Sequence, residues 1–168
     1  MATKKLIWVL SGFFVVSAWV FGSVVLGNAE ILNFKSYTYG VKQEIVPVSD
    51  KEIHNLALSV RRGFYLFENG EVATVFLPQI MDFSKGEGSY TTYGTYTFAD
   101  GATISTKVQG TWSGVAASAK GEIIKGTGRF EGIKGTVSIK SKNLPLEKGE
   151  VGGKIIGEGT ITYTLPAK

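Results

Sequence analysis

The chain has 168 residues, no cysteine, one histidine and a formal net charge of +4, which excludes thiol chemistry, disulfide stapling and a metal centre built on cysteine or clustered histidine. Its 22 glycines stand well above the usual share of about 7%, yet aromatic and β-branched residues are plentiful, so the composition is that of a turn-rich sheet and not of a disordered tail. Beyond Lys4 and Lys5 the basic residues are scattered singly, apart from Arg61 and Arg62, and no basic stripe exists that would neutralise a nucleic-acid backbone.

Residues 1–29 come first. Lys4 and Lys5 precede an uncharged, mostly apolar run from Leu6 to Gly27, and small residues at Gly27 and Ala29 lie three and one positions before Glu30. This is the layout of a secretory signal peptide. The apolar run would also span about 33 Å as a helix, enough to cross a bilayer, so a retained anchor helix touching the membrane through residues 6–27 is the alternative. Both readings predict an exported domain over residues 30–168, periplasmic or secreted, tethered or free.

Alternation from Phe34 to Val46 puts Tyr37, Tyr39, Val41, Gln43 and Ile45 on one face of a half-buried strand. Pro47, Ser49 and Asp50 are expected to end it, and residues 50–55 have room for one helical turn. Leu56, Leu58, Val60, Arg62, Phe64 and Leu66 form the next apolar face, and Asn69-Gly70 supplies a hairpin turn. Val72 to Leu77 returns as far as Pro78, with residues 82–88 as a loop. Ser89 to Phe98, a turn at Ala99-Asp100-Gly101, and Ala102 to Trp112 follow, with Ile104, Thr106, Val108 and Trp112 facing one way. Gly121 to Lys125, Ile133 to Lys142 and Lys154 to Leu165 bring the total to about eight strands, with residues 149–153 as a loop. Short strands at this spacing predict an all-β, closed antiparallel β-barrel. The echo of Lys85–Tyr90 in Lys125–Phe130 has a period of about 40 residues. A propeller built on it would need at least four blades, about 160 residues, so the repeat is read as recurring glycine corners.

The densest glycine cluster is Gly126-Thr-Gly-Arg-Phe-Glu-Gly-Ile-Lys-Gly135, set between two strand patterns. Glycines so placed mark kinks and close backbone approaches that let a sheet curve shut. This segment resembles the one shared by allene oxide cyclases and dirigent proteins. Arg62-Gly63, Asn69–Ala73, Tyr96–Gly101 and Tyr163–Pro166 look similar to motifs of small exported bacterial members of that barrel superfamily, whose function is unassigned. The resemblance covers roughly Phe34 to Pro166 and implies an eight-stranded barrel with an internal cavity. It does not carry over the plant enzymes' activity, because their cavity residues have no assignable counterparts here.

Candidate chemistry is sparse. Gly126-Thr-Gly128 precedes a strand and not a helix, so it is no phosphate loop. His54 sits among turn-like polar residues without a partner histidine, and Asp82, Glu122 and Glu158 are isolated carboxylates. No catalytic residue, metal site or cofactor motif is assigned. Arg62, placed on an apolar face, either meets a ligand or reaches to water from the barrel mouth. Tyr39, Gln43, Tyr96, Trp112 and Tyr163, together with Tyr37, are expected to point inward, either lining a ligand cavity or filling the barrel as its core. The leading expectation is therefore an exported barrel that binds a small, largely apolar ligand. The alternatives are a cofactor-free isomerase or cyclase, and an envelope module with a filled barrel whose work lies on its surface.

Overall fold

In a computed structural model the structure describes residues 28–50 and 53–167; residues 1–27 of the expected signal peptide or anchor, with its whole apolar run, fall outside them. Among the described residues eight strands follow in order: β1 (Glu30–Val48), β2 (His54–Phe67), β3 (Val72–Ser84), β4 (Glu87–Phe98), β5 (Thr103–Ser113), β6 (Ala116–Thr127), β7 (Lys134–Asn143) and β8 (Lys154–Thr164), with a 3₁₀ turn at Gly128–Phe130. Each strand pairs antiparallel with its sequence neighbour, and β1 also pairs with β8, closing the sheet into an up-and-down barrel. Closure removes both free edges, so every strand has a partner on each side.

The two ends of the barrel differ. At one end Phe34, Tyr65, Phe67, Phe98, Phe130 and Tyr163 form a packed aromatic core, with the Phe34 and Tyr65 rings stacked at 4.4 Å and Phe98 against Phe130 at 4.9 Å. The glycine-rich segment is the plug of this end. Gly128 and Gly132 take positive φ (62° and 75°), a conformation that favours glycine, and the turn they make drives Phe130 and Ile133 into the barrel. Arg129 joins three neighbouring loops here. Its guanidinium meets Glu71 at 2.5 Å and Asp100 at 3.3 Å and lies over the Phe98 and Phe130 rings. Pro166 packs where a side chain on Gly132 would project. Asn69–Ala73, Tyr96–Gly101, Gly126–Gly135 and Tyr163–Pro166, far apart in the chain, thus converge on the closed end. What these motifs shape is the seal of the barrel.

Three boundaries differ from the sequence expectation. Pro47 and Pro78 do not end their strands: β1 continues to Val48 and β3 to Ser84. Pro78 is accommodated because the β3–β4 pairing skips Leu77 and Pro78 and resumes in the same register at Gln79, so no ladder hydrogen bond is asked of a residue without an N–H. The expected loop over residues 82–88 shrinks to the two-residue turn Lys85-Gly86, both with positive φ, as tight hairpins require. Among the described residues between Asp50 and Asn55 there is no helix.

Candidate functional site

The larger correction concerns which face of β1 and β2 points inward. Along β2 the interior receives Ala57, Ser59, Arg61, Tyr65 and Phe67, all buried, while Leu56, Leu58, Phe64 and Leu66 are exposed on the outside. The more apolar face of this strand is the outer one. Arg62 does share a face with Leu58 and Phe64, as alternation required, but that face looks outward, and its guanidinium lies over the Phe76 ring of β3. Tyr37 also faces outward, against Phe64, and Tyr39 is 42% exposed. Alternation is interrupted between Gly40 and Lys42 by a bulge, which inserts one residue and reverses the facing beyond it. Gln43 therefore reaches the interior although Tyr37 and Tyr39 do not. Tyr37, Tyr39, Val41, Leu56, Leu58, Phe64, Leu66, Phe76 and Ile80 give the outer surface of β1–β3 an apolar character that the threonine- and lysine-rich strands opposite lack.

Above the aromatic core the barrel holds a cavity of about 440 Å³. Tyr65 and Tyr96, with ring centroids 4.9 Å apart, form its floor. Phe83, Tyr90 and Trp112 stand together on one wall, with Trp112 5.8 Å from Phe83 and 6.0 Å from Tyr90. Leu77, Val108 and Ile139 add aliphatic surface, and Ser36, Gln43, Gln79 and Thr92 supply polar tips. Gln79 Nε2 donates to Thr92 Oγ1 at 2.8 Å, and Thr106 Oγ1 donates to the Tyr96 hydroxyl at 3.2 Å.

The β7–β8 connection, residues 144–153, comes down on this end and contributes Leu144, Leu146, Gly152 and Gly153 to the cavity wall. Arg61 holds it. Nη1 donates to the Gly152 carbonyl at 2.6 Å and Nη2 to the Gly153 carbonyl at 2.9 Å, with longer contacts at 3.4 Å to Thr38 O and Oγ1. Gly40 N also donates to Gly153 O at 3.0 Å. The loop backbone lies so close that a Cβ on Gly40 would sit 2.0 Å from Val151 O, so glycine is the residue that fits there. Lys154 bridges Glu147 and Glu150 within the same connection.

Burial sets the protonation of the site. It brings the Arg61 guanidinium down to about 10, still charged at neutral pH. It raises the Tyr65 hydroxyl well above the ordinary value, with neighbouring Tyr96 adding to the effect, and raises Tyr96 and Tyr90 as well, although Arg61 pulls Tyr90 partly back. The three tyrosines are thus neutral hydrogen-bonding groups. Among the described residues the cavity wall contains no carboxylate and no imidazole. His54 lies at the rim, its ring nitrogens 2.5 Å from Asp50 and 2.8 Å from Asp82, and does not line the cavity.

Of the residues expected to point inward, Gln43, Tyr96 and Trp112 line the cavity. Tyr163 is inside but belongs to the closed end, where its hydroxyl donates to Glu30 at 2.5 Å. Tyr39 and Arg62 are outside. Sequence reasoning missed Arg61, Tyr65 and Tyr90. The available signal was Gly40 preceding a Val-Lys pair, a place for a bulge, and the small residues Ala57, Ser59 and Gly63 in phase with Arg61, since a narrow barrel needs small inward side chains.

No protein-family model matches the sequence, and comparison with curated proteins finds no relative. Among solved structures, the pterocarpan synthase dirigent protein GePTS1 superposes with a TM-score of 0.50 at 16% identity, over 83% of this chain and 92% of that one. The pterocarpan synthase dirigent protein PsPTS1 gives 0.47 at 15% identity, over 83% and 97%. The eight-stranded closed meander and the first of these likenesses together show that the chain has the barrel fold of that dirigent protein.

Proposed function

We propose that this protein is a ligand-binding barrel that takes a small, largely apolar molecule into the cavity beneath the β7–β8 loop. The observation that carries the reading is the half-empty interior: one end is packed with aromatic side chains, while the other keeps about 440 Å³ free, within the range of small-molecule sites. Its wall combines ring surface with a few hydrogen-bonding tips, the pattern that orients an apolar body. Gln43, Tyr96 and Trp112 are proposed contacts, joined by Arg61 and Tyr90. A cyclase or isomerase reading receives less support, because general acid–base work needs a titratable group poised near neutrality and the wall supplies neutral tyrosines and a charged arginine. With this goes the proposal that residues 1–29 direct export, as a cleaved signal or a retained anchor, and that residues 30–168 are the working domain.

Native mass spectrometry of protein isolated from its own cells tests the binding. A small-molecule adduct is expected on the wild type, and it should be lost from Ala117→Phe, which fills the cavity mouth. Bare masses in repeated preparations, with no uptake of 2-naphthoate or of 2-naphthalenemethanol by the purified chain, would end the proposal. N-terminal sequencing of the same material distinguishes Glu30 from Met1 as first residue.

A further inference from the structure

Arg61 carries a positive charge inside the barrel and, among the described residues, no negative partner. It is 4% exposed, and its four hydrogen bonds all end on neutral oxygens, those of Gly152, Gly153 and Thr38. Among the described residues no carboxylate pairs with it, and none lines the cavity. The other cation in the wall, Lys154, is already matched by Glu147 at 2.9 Å and Glu150 at 2.6 Å. A buried cation satisfied only by dipoles still lacks the countercharge that would offset its lost hydration.

The geometry around it is that of an anion site filled by stand-ins. A guanidinium presents a planar fork of donors that matches the two oxygens of a carboxylate. Here the fork holds two oxygens from consecutive peptide groups, Gly152 O on Nη1 and Gly153 O on Nη2, presented by two glycines with positive φ (67° and 61°). Gln43 flanks the same spot: a Cβ on Gly152 would lie 3.6 Å from Gln43 Oε1 and 3.7 Å from Arg61 Nη1. Tyr90, a neutral phenol, lines the same cavity as Arg61. Elsewhere the wall includes the apolar Leu77, Phe83, Val108 and Trp112, together with Gln79 and Thr92, which bond to each other at 2.8 Å. The cavity therefore sets the Arg61 cation beside extensive ring and aliphatic surface.

We infer that the ligand of this cavity is a carboxylic acid with an apolar body, whose carboxylate takes over the Arg61 fork from the two loop carbonyls. The inference rests on the ligand-binding reading above and adds the chemistry of the headgroup. The carboxylate reproduces the two-oxygen geometry and brings the full negative charge that the peptide groups lack, while the body lies on the Phe83–Trp112 wall. No proton or covalent bond changes hands.

Isothermal titration calorimetry of the full chain with 2-naphthoate and with 2-naphthalenemethanol, which have the same ring body, tests this. The acid is expected to bind at least tenfold more tightly, about 1.4 kcal/mol. Arg61→Gln should erase the difference, while Arg62→Gln, altered on the outer face, should leave it unchanged. Equal affinities of acid and alcohol for the wild type would overturn the inference and leave the binding reading intact; binding of neither would overturn both. A loss of selectivity in Arg62→Gln equal to that in Arg61→Gln would also refute it. Should Arg61→Gln fail to fold by circular dichroism, the wild-type comparison, repeated with neutral 2-naphthamide, decides: an amide that binds as tightly as the acid overturns the proposal.

Discussion

Replacing Arg61 by alanine tests the facing of β2 and the latch on the β7–β8 loop together. The two short hydrogen bonds, 2.6 and 2.9 Å to Gly152 O and Gly153 O, are each worth about 1.5–3 kcal/mol net because the donor is charged, while the two at 3.4 Å count for little. Against the resulting 3–6 kcal/mol stands about 2 kcal/mol for ordering a long side chain. Gly153 O keeps Gly40 N as a partner, but Gly152 O loses its guanidinium, at a further cost of about 1 kcal/mol or more. A net loss of about 3 kcal/mol is therefore expected for Arg61→Ala. For the adjacent Arg62→Ala, only a surface contact over Phe76 at 5.4 Å is removed, worth about 0.5–1 kcal/mol. Urea denaturation followed by circular dichroism, with unchanged m values, reads both directly. Hydrogen exchange should show faster amides over residues 144–153 in the Arg61 variant alone. If Arg62→Ala costs as much as Arg61→Ala, the inward placement of Arg61 is wrong.

Three other outcomes follow from the same geometry. Phe67→Ala, truncating a ring 2% exposed in the closed end, should cost about 3–5 kcal/mol, whereas Phe64→Ser on the outer face, 47% exposed, should cost about 1 kcal/mol or less and lower surface hydrophobicity in a dye-binding assay. Gly40→Ala drives a Cβ into Val151 O and should lower the melting temperature far more than Gly70→Ala, which meets no atom and adds only left-handed backbone strain of about 1–2 kcal/mol. In alkali, Tyr163, pushed up to about 12 by burial and then by its bond to Glu30, ionises less readily folded than unfolded. Its contribution is fully present below the unfolded value near 10 and is lost as pH rises through about 12. Tyr65 and Tyr96, also raised, act in the same direction. Stability measured across pH 9–12 should fall, with a shallower slope in Tyr163→Phe, and absorbance at 295 nm should show tyrosines that titrate only on unfolding.

Strand number, antiparallel order and closure were legible in the sequence, because alternation and turn chemistry are local properties. Asn69-Gly70 and Asp100-Gly101 dictate hairpins wherever they occur, and the glycines of residues 126–135 allow close approaches that no other residue permits. Which face of β1 and β2 would become the interior was not legible. Alternation fixes two faces but not which one is buried, and the rule that the apolar face goes inside fails when Leu56, Leu58, Phe64 and Leu66 coat the exterior and a charged Arg61 is turned inward. That choice was made by the bulge at Gly40–Lys42, by the need for small side chains where the barrel is narrow, and by a loop ninety residues downstream whose carbonyls receive the guanidinium. Curvature is encoded residue by residue; the facing of a strand depends on what the closed sheet has room to enclose, and only the assembled barrel decides that.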